Sequence, residues 1–187
     1  MSYGNMTVFV GPMFSGKSSH LLQQHIWKNH AGDSSLLVKP AFDDRYATEE
    51  VVTHNNLKVT AVNVTSVDDI NRIILRDGEP TFKNLMIDEC QFFIEPHFHG
   101  NIVECVKNLL KNQINIYAAG LDMDWRGDPF YVSAMFLAMA DDAVKLKSVC
   151  SKSGKPATKT YKKTKSGESI ELGEKDLYEV RHNDYWS

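Results

Sequence analysis

The first apolar run of the chain, residues 6–10 (MTVFV), is short, rich in β-branched and aromatic side chains, and ends at a glycine, which reads as a buried strand. The period then changes. Across residues 17–29, Leu21, Leu22, His25 and Ile26 recur on one helical face. Residues 35–38, 57–64, 84–87 and 114–119 again read as strands, the last stopping at Gly120. Residues 67–75 read as a helix capped by Thr65 or Ser66, residues 102–112 as another, and residues 129–138 as a helix with Pro129 in its first turn. Residues 40–56 are polar and irregular and are expected to form a surface loop. Strands alternating with helices imply βαβ units and a mostly parallel sheet.

Composition shifts near Lys145. Residues 148–187 are rich in Lys, Ser, Thr and Gly and carry few apolar clusters. The expected division is therefore an α/β domain over residues 1–147 and a small C-terminal subdomain over residues 148–187, with a long flexible loop around residues 161–169. A chain of 187 residues suits one domain with an appendage, and an apolar fraction of 42% is enough for a core. Charged residues make up 24% with a net charge of −3, which argues against a protein built to coat nucleic acid. No apolar run approaches the roughly 20 residues that cross a bilayer. The first residues lack a basic stretch followed by a long apolar one, so no secretory signal is expected. Three cysteines at wide spacings make no disulfide framework and suit a reducing cytoplasm.

Candidate chemistry begins between the first strand and the first helix. Gly11, Pro12, Met13, Phe14, Ser15, Gly16, Lys17 and Ser18 spell GPMFSGKS, a complete G-x-x-x-x-G-K-[ST] phosphate loop. Its glycines let backbone N–H groups turn inward around phosphate oxygens, and the helix points its positive dipole end at the same anion. Lys17 is expected to reach the β- and γ-phosphates and the Ser18 hydroxyl to take a place on Mg²⁺. The strand at 84–87 ends in Asp88 and Glu89. A buried strand of this kind delivers a carboxylate beside the phosphate loop, Asp88 for Mg²⁺ and Glu89 for proton abstraction. The fold class that follows is α/β, a P-loop NTPase-like (RecA-like) mostly parallel sheet flanked by helices. A kinase, a P-loop ATPase or nucleic-acid motor, and a nucleotide-binding module without catalysis all share these motifs.

With GPMFSGKS, Asp43-Asp44-Arg45-Tyr46, Asp88-Glu89-Cys90-Gln91-Phe92-Phe93 and the segment GLDMDWRG at 120–127, the chain resembles thymidine kinases of the cytosolic, bacterial and viral type. The similarity runs in order from about residue 5 to residue 178. It implies transfer of the ATP γ-phosphate to the 5′-hydroxyl of thymidine, and also of deoxyuridine, in nucleotide salvage for DNA synthesis. On this resemblance Glu89 is the catalytic base, Ser18 and Asp88 hold Mg²⁺, and Lys17 and Arg45 act on the phosphates. Cys90 and Gln91 join the loop, Asp88 and Glu89 in the nucleotide site. Met13, Phe92, Leu121, Trp125 and Phe130 surround the thymine, with Trp125 standing where a phenylalanine is expected. A loop at about 164–173, followed by Tyr178, folds over the nucleoside, making the C-terminal part lasso-like or zinc-ribbon-like.

The family commonly carries a structural zinc on two Cys-x-x-Cys or Cys-x-x-His pairs. Here the pairs read Cys150-Ser151-Lys152-Ser153 and His182-Asn183-Asp184-Tyr185, leaving Cys150 and His182 as the good ligands, whereas a closed site needs four. Zinc is expected to be absent or weakly held, and packing of Val149, Ile170, Leu172, Tyr178 and Trp186 is expected to hold the subdomain instead. The resemblance further implies a homotetramer, feedback inhibition by dTTP, no membrane or direct nucleic-acid partner, and a cytoplasmic location, the host's if the source is viral.

Overall fold

The computed structural model describes residues 2–41, 50–52, 58–76, 78–164 and 177–186. In chain order the elements are β1 (Met6–Val10), α1 (Lys17–His30), β2 (Ser35–Pro40), the antiparallel pair β3 (Glu50–Val52) and β4 (Lys58–Thr60), β5 (Val62–Val64), α2 (Val67–Ile74), the short pair β6 (Leu75–Arg76) and β7 (Glu79–Pro80), β8 (Asn84–Ile87), α3 (Ile102–Lys111), β9 (Asn115–Gly120), α4 (Tyr131–Met139) and β10 (Asp142–Lys145). Four short strands follow: β11 (Ser148–Val149), β12 (Pro156–Ala157), β13 (Lys159–Lys162) and β14 (Tyr178–Arg181).

The central sheet runs β10-β1-β9-β8-β2-β5, and every pairing in it is parallel. Alternation along each strand explains its two buried faces. Met6, Val8 and Val10 of β1, Leu36 and Val38 of β2, Leu85 and Ile87 of β8, and Ile116 and Ala118 of β9 pack with residues of α2, α3 and α4. The intervening Phe9, Leu37, Met86 and Ala119 pack on Leu21 and Leu22 of α1. Helices therefore cover both faces. Val10 is in register with Gly120 and with Lys145, and Ile87 with Ala118, so the C-terminal strand ends form one edge. The segments leaving that edge carry the phosphate loop, the acid pair and residues 121–130. Ligands in parallel α/β sheets bind at this edge.

Several expectations change. The stretch 40–56 is not all loop, because β3 lies within it and pairs with β4. The strand expected over 57–64 is divided at buried Ala61, with β4 in one sheet and β5 in another; Leu57 lies outside the described residues. The last helix starts at Tyr131, not at Pro129, because Pro129 is held by a bridge to Met123 and Phe130 donates its N–H to Asp122 O at 3.1 Å. β10 is a strand that periodicity did not suggest. Its four residues are all exposed, and it exists through backbone pairing with β1. Tyr161 belongs to β13 and not to a loop. Val149 is 66% exposed and supplies no packing, whereas Cys150, Ala157 and Val180 form a small cluster against Phe14. Ile170 and Leu172 lie outside the described residues.

Candidate active site

The phosphate loop turns between β1 and α1. Gly16 stands at the helix N-cap with φ 82° and ψ 18°, a left-handed conformation that glycine adopts without a steric penalty. No side chain caps α1 and no acid stands in its first turn, so its first N–H groups and dipole present an undiluted positive end. The loop is braced internally. Ser15 Oγ donates to Pro12 O at 2.8 Å and Lys17 Nζ to the same carbonyl at 2.7 Å. Lys17 is buried among acids. Burial lowers its pKa, and the charges of Glu89, Asp88 and Asp122 oppose that shift.

β8 delivers the acids. Ser18 Oγ donates to Asp88 Oδ1 at 3.0 Å, joining the start of α1 to the end of β8. Asp88 also accepts the Glu89 N–H at 3.0 Å. Burial and the neighbouring Glu89 charge push the Asp88 carboxyl up to about 7, despite these hydrogen bonds. Such a carboxylate gains from a cation, and a buried carboxylate oxygen beside a hydroxyl is a hard-oxygen pair that suits Mg²⁺, which takes one or two protein oxygens and keeps its other positions for water and phosphate. Glu89 has φ 52° and ψ 44°, a left-handed conformation costing roughly 1–3 kcal/mol in a residue with a side chain. The reversal opens a short 3-10 turn, Cys90–Phe92. Gln91 Nε2 donates to Glu89 Oε2 at 2.6 Å. The Cys90 thiol is fully buried 3.5 Å from Ser133 Oγ, and burial pushes it up to about 12, which makes it inert at neutral pH.

The segment after β9 forms the third wall. Asp124 closes its turn by accepting the N–H groups of Arg126 at 2.8 Å and Asp128 at 3.0 Å. The Arg126 guanidinium lies 4.9 Å from the Trp125 ring centroid and the Lys162 ammonium 5.7 Å from it. Leu121 donates its N–H to Gln91 Oε1 at 2.9 Å. Asp122 is buried and its Oδ2 lies 2.8 Å from Lys145 Nζ. Phe92 is buried edge-on to His97.

The C-terminal strands come to the same edge. Met13 donates its N–H to Thr160 Oγ1 at 3.2 Å, Ser148 Oγ donates to Phe14 O at 3.2 Å, and Trp186 Nε1 donates to Thr160 O at 3.0 Å. Buried Tyr178 pairs with Lys162 across β13 and β14. The structure thus gathers the loop residues, Asp88, Glu89, Gln91, Phe92, Leu121 and Trp125 at one sheet edge, with Phe130 one residue ahead of α4. Arg45 and residues 165–173 lie outside the described residues. Sequence reasoning missed Thr160, Ser133 and the Asp122–Lys145 pair. For Asp122 the signal was its place inside the GLDMDWRG segment. Thr160 and Ser133 stand in segments without a motif and carry no signal.

Cys150 is buried and His182 stands at the N-cap of the short turn Asn183–Tyr185. Among the described residues no group of three or more His, Cys, Asp or Glu side chains could hold a metal ion. His182 Nδ1 accepts the Asp184 N–H at 3.3 Å. A groove of about 500 Å³ between α2 and α3, lined by residues such as Asn71, Cys105 and Leu109, includes no residue of the phosphate loop or acid pair. Among the described residues no helix is long and apolar enough to cross a membrane. Compared with known protein families, residues 4–186 match the family described as thymidine kinase, so the chain belongs to the thymidine kinase family, the ATP-dependent phosphotransferases that phosphorylate thymidine.

Proposed function

We propose that Glu89 is the general base of thymidine phosphorylation and that the loop 11–18 with Asp88 holds Mg·ATP. The observation that carries the reading is the 3.0 Å contact of Ser18 with Asp88, which joins the phosphate loop to the strand that presents Glu89 as its next residue. Glu89 accepts the proton of the nucleoside 5′-hydroxyl as the 5′-oxygen bonds to the γ-phosphorus. The bond from that phosphorus to the β,γ-bridging oxygen breaks, and ADP leaves with the electron pair. The loop N–H groups and Lys17 balance the phosphate charge. Ser18 and Asp88 would hold Mg²⁺, which when bound neutralises phosphate charge. Arg45 completes the phosphate contacts on this reading.

Met13, Phe92, Leu121, Trp125, Phe130 and Tyr178 are assigned to the thymine pocket. The support is that their segments converge on one sheet edge and that aromatic faces and a thioether suit a methylated pyrimidine. Deoxyuridine, lacking only that methyl, is a second acceptor. Residues 1–147 form the catalytic domain and residues 148–187 the nucleoside-covering subdomain, supported by the Met13–Thr160 and Trp186–Thr160 hydrogen bonds. Zinc is weakly held or absent, the assembly is a homotetramer inhibited by dTTP, and the location is cytoplasmic.

The test measures ADP released from Mg·ATP with and without thymidine. Release should depend on thymidine and yield thymidine monophosphate; release indifferent to the nucleoside would defeat the assignment. Glu89→Gln should lower kcat by at least about 100-fold with ATP binding retained. Turnover within about tenfold of the parent would show that Glu89 is not the base.

A further inference from the structure

Gln91 spans two parts of the site. Its side chain is buried, with 2% exposure. One end of its amide donates to Glu89 Oε2 at 2.6 Å and the other accepts the Leu121 N–H at 2.9 Å. The orientation of the amide is settled by its partners: a backbone N–H can only donate, so it takes the oxygen, and an ionised carboxylate can only accept, so it takes the NH₂. Leu121 is held on its other side as well, its carbonyl accepting Ser133 Oγ at 2.6 Å. Ser133 Oγ stands 3.5 Å from Cys90 Sγ, one residue from Gln91 in the same turn. The result is a closed ring of contacts through Glu89, Gln91, Leu121, Ser133 and Cys90. Gly120 leaves room for it. A Cβ there would run into Gln91 Oε1 and Cys90 Sγ and would stand 3.1 Å from the Cys90 backbone nitrogen.

We propose that Gln91 is a positioning residue for phosphoryl transfer, which fixes the Glu89 carboxylate and ties it to the backbone of the nucleoside-side segment at Leu121. The inference rests on Glu89 being the base. Engaging Oε2 leaves Oε1 to accept the hydroxyl proton and removes the rotation that would carry it out of reach. An oxygen displaced by about 1 Å at a reacting centre costs on the order of 100-fold in rate. Because the same amide holds Leu121, the base and the thymine side of the pocket share one anchor.

The experiment compares four proteins: the parent, Gln91→Met, Glu89→Gln and the double variant. Methionine matches the length of glutamine and cannot hydrogen-bond to either partner as the amide does. Gln91→Met should lower kcat by about 10- to 100-fold while the KM for ATP stays within about twofold. In the Glu89→Gln background the same change should have almost no further effect on the residual kcat, because a group acting through Glu89 has nothing left to position. An unchanged kcat in Gln91→Met, or an equal loss in both backgrounds, overturns the inference while leaving Glu89 as the base. Turnover retained in Glu89→Gln overturns the base assignment itself. If Gln91→Met fails to fold, Gln91→Asn replaces it, since its amide stays polar but, one methylene shorter, cannot reach both Glu89 and Leu121. The same kcat loss and the same absence of effect in the Glu89→Gln background are expected, and parent-like turnover again overturns the inference.

Discussion

His25 shows how one side chain couples a helix to the sheet. It is buried on α1, its Nδ1 is 2.6 Å from Ser35 Oγ, and its Nε2 is 3.2 Å from Asn29 Nδ2. Asn29 in turn accepts the Ser35 N–H at 3.1 Å, so the end of α1 is fastened to the start of β2. Burial lowers the His25 pKa from its ordinary 6.5, which means the unfolded chain binds the proton more tightly. The sign follows by linkage. The contribution of His25 is complete above about 6.5 and is lost as pH falls below it toward the lowered folded value. Unfolding midpoints of the parent and of His25→Gln, measured from pH 8 to pH 5, should converge or cross on acidification, because only the parent carries this dependence. Parallel curves would show that His25 does not titrate differently in the two states. This residue was legible in the sequence only as part of a helical stripe; its partner Ser35 was not, because the contact depends on how α1 crosses the sheet.

At the scale of elements, α2 has the clearest local code. Ser66 is its N-cap. The Ser66 hydroxyl accepts the Asp69 N–H at 3.2 Å, and Asp69 Oδ2 accepts the Ser66 N–H at 3.1 Å and that of Thr65 at 2.9 Å. Those hydrogen bonds hold the Asp69 carboxyl below its ordinary value. Ser66→Ala should lower stability by about 1 kcal/mol, read as a shift in the urea midpoint at constant slope. An unchanged midpoint would mean that burial of Ile70 and Ile74 alone sustains the helix. Local codes of this kind, and the two-sided apolar strands β1 and β8, were readable because neighbours in sequence are neighbours in space. β10 was not. Its pairing begins with Asp141, which accepts the Met6 N–H at 2.8 Å, and it continues along β1 by backbone hydrogen bonds that leave no trace in side-chain pattern. The start of α4 was misplaced for a related reason. A proline two residues ahead of the helix satisfies the same local rule as one inside it, and the bridge from Met123 to Pro129 made the choice.

Across the whole molecule, the C-terminal strands are fastened to the catalytic edge at a few points. One is the contact of Trp186 with Gly127. A Cβ on Gly127 would come within 2.6 Å of the indole, and its φ of +93° is unfavourable for any other residue. Gly127→Ala should therefore push Trp186 away from the Thr160 carbonyl and loosen β13 from the segment that carries Trp125. The expected result is a KM for thymidine raised by about threefold or more, with a stability loss of about 1–3 kcal/mol. A variant that folds with parent-like thymidine KM would separate the C-terminal strands from nucleoside binding.

The sequence by itself determined the α/β class, the phosphate loop, the acid pair and the family, because each is written in contiguous residues whose chemistry is local. Spacing within GPMFSGKS dictates a glycine turn before a helix, and an apolar strand ending in two acids dictates where those acids stand. Only the tertiary structure decided the strand order, with β9 lying between β1 and β8, the left-handed turn at Glu89, and the bridging of Glu89 to Leu121 by Gln91. The strand order and the bridge join residues 30 or more positions apart, and a left-handed backbone at Glu89, a residue with a side chain, persists only where the surrounding structure imposes it. Such distances are settled by packing of the whole chain, so no window along the sequence contains them.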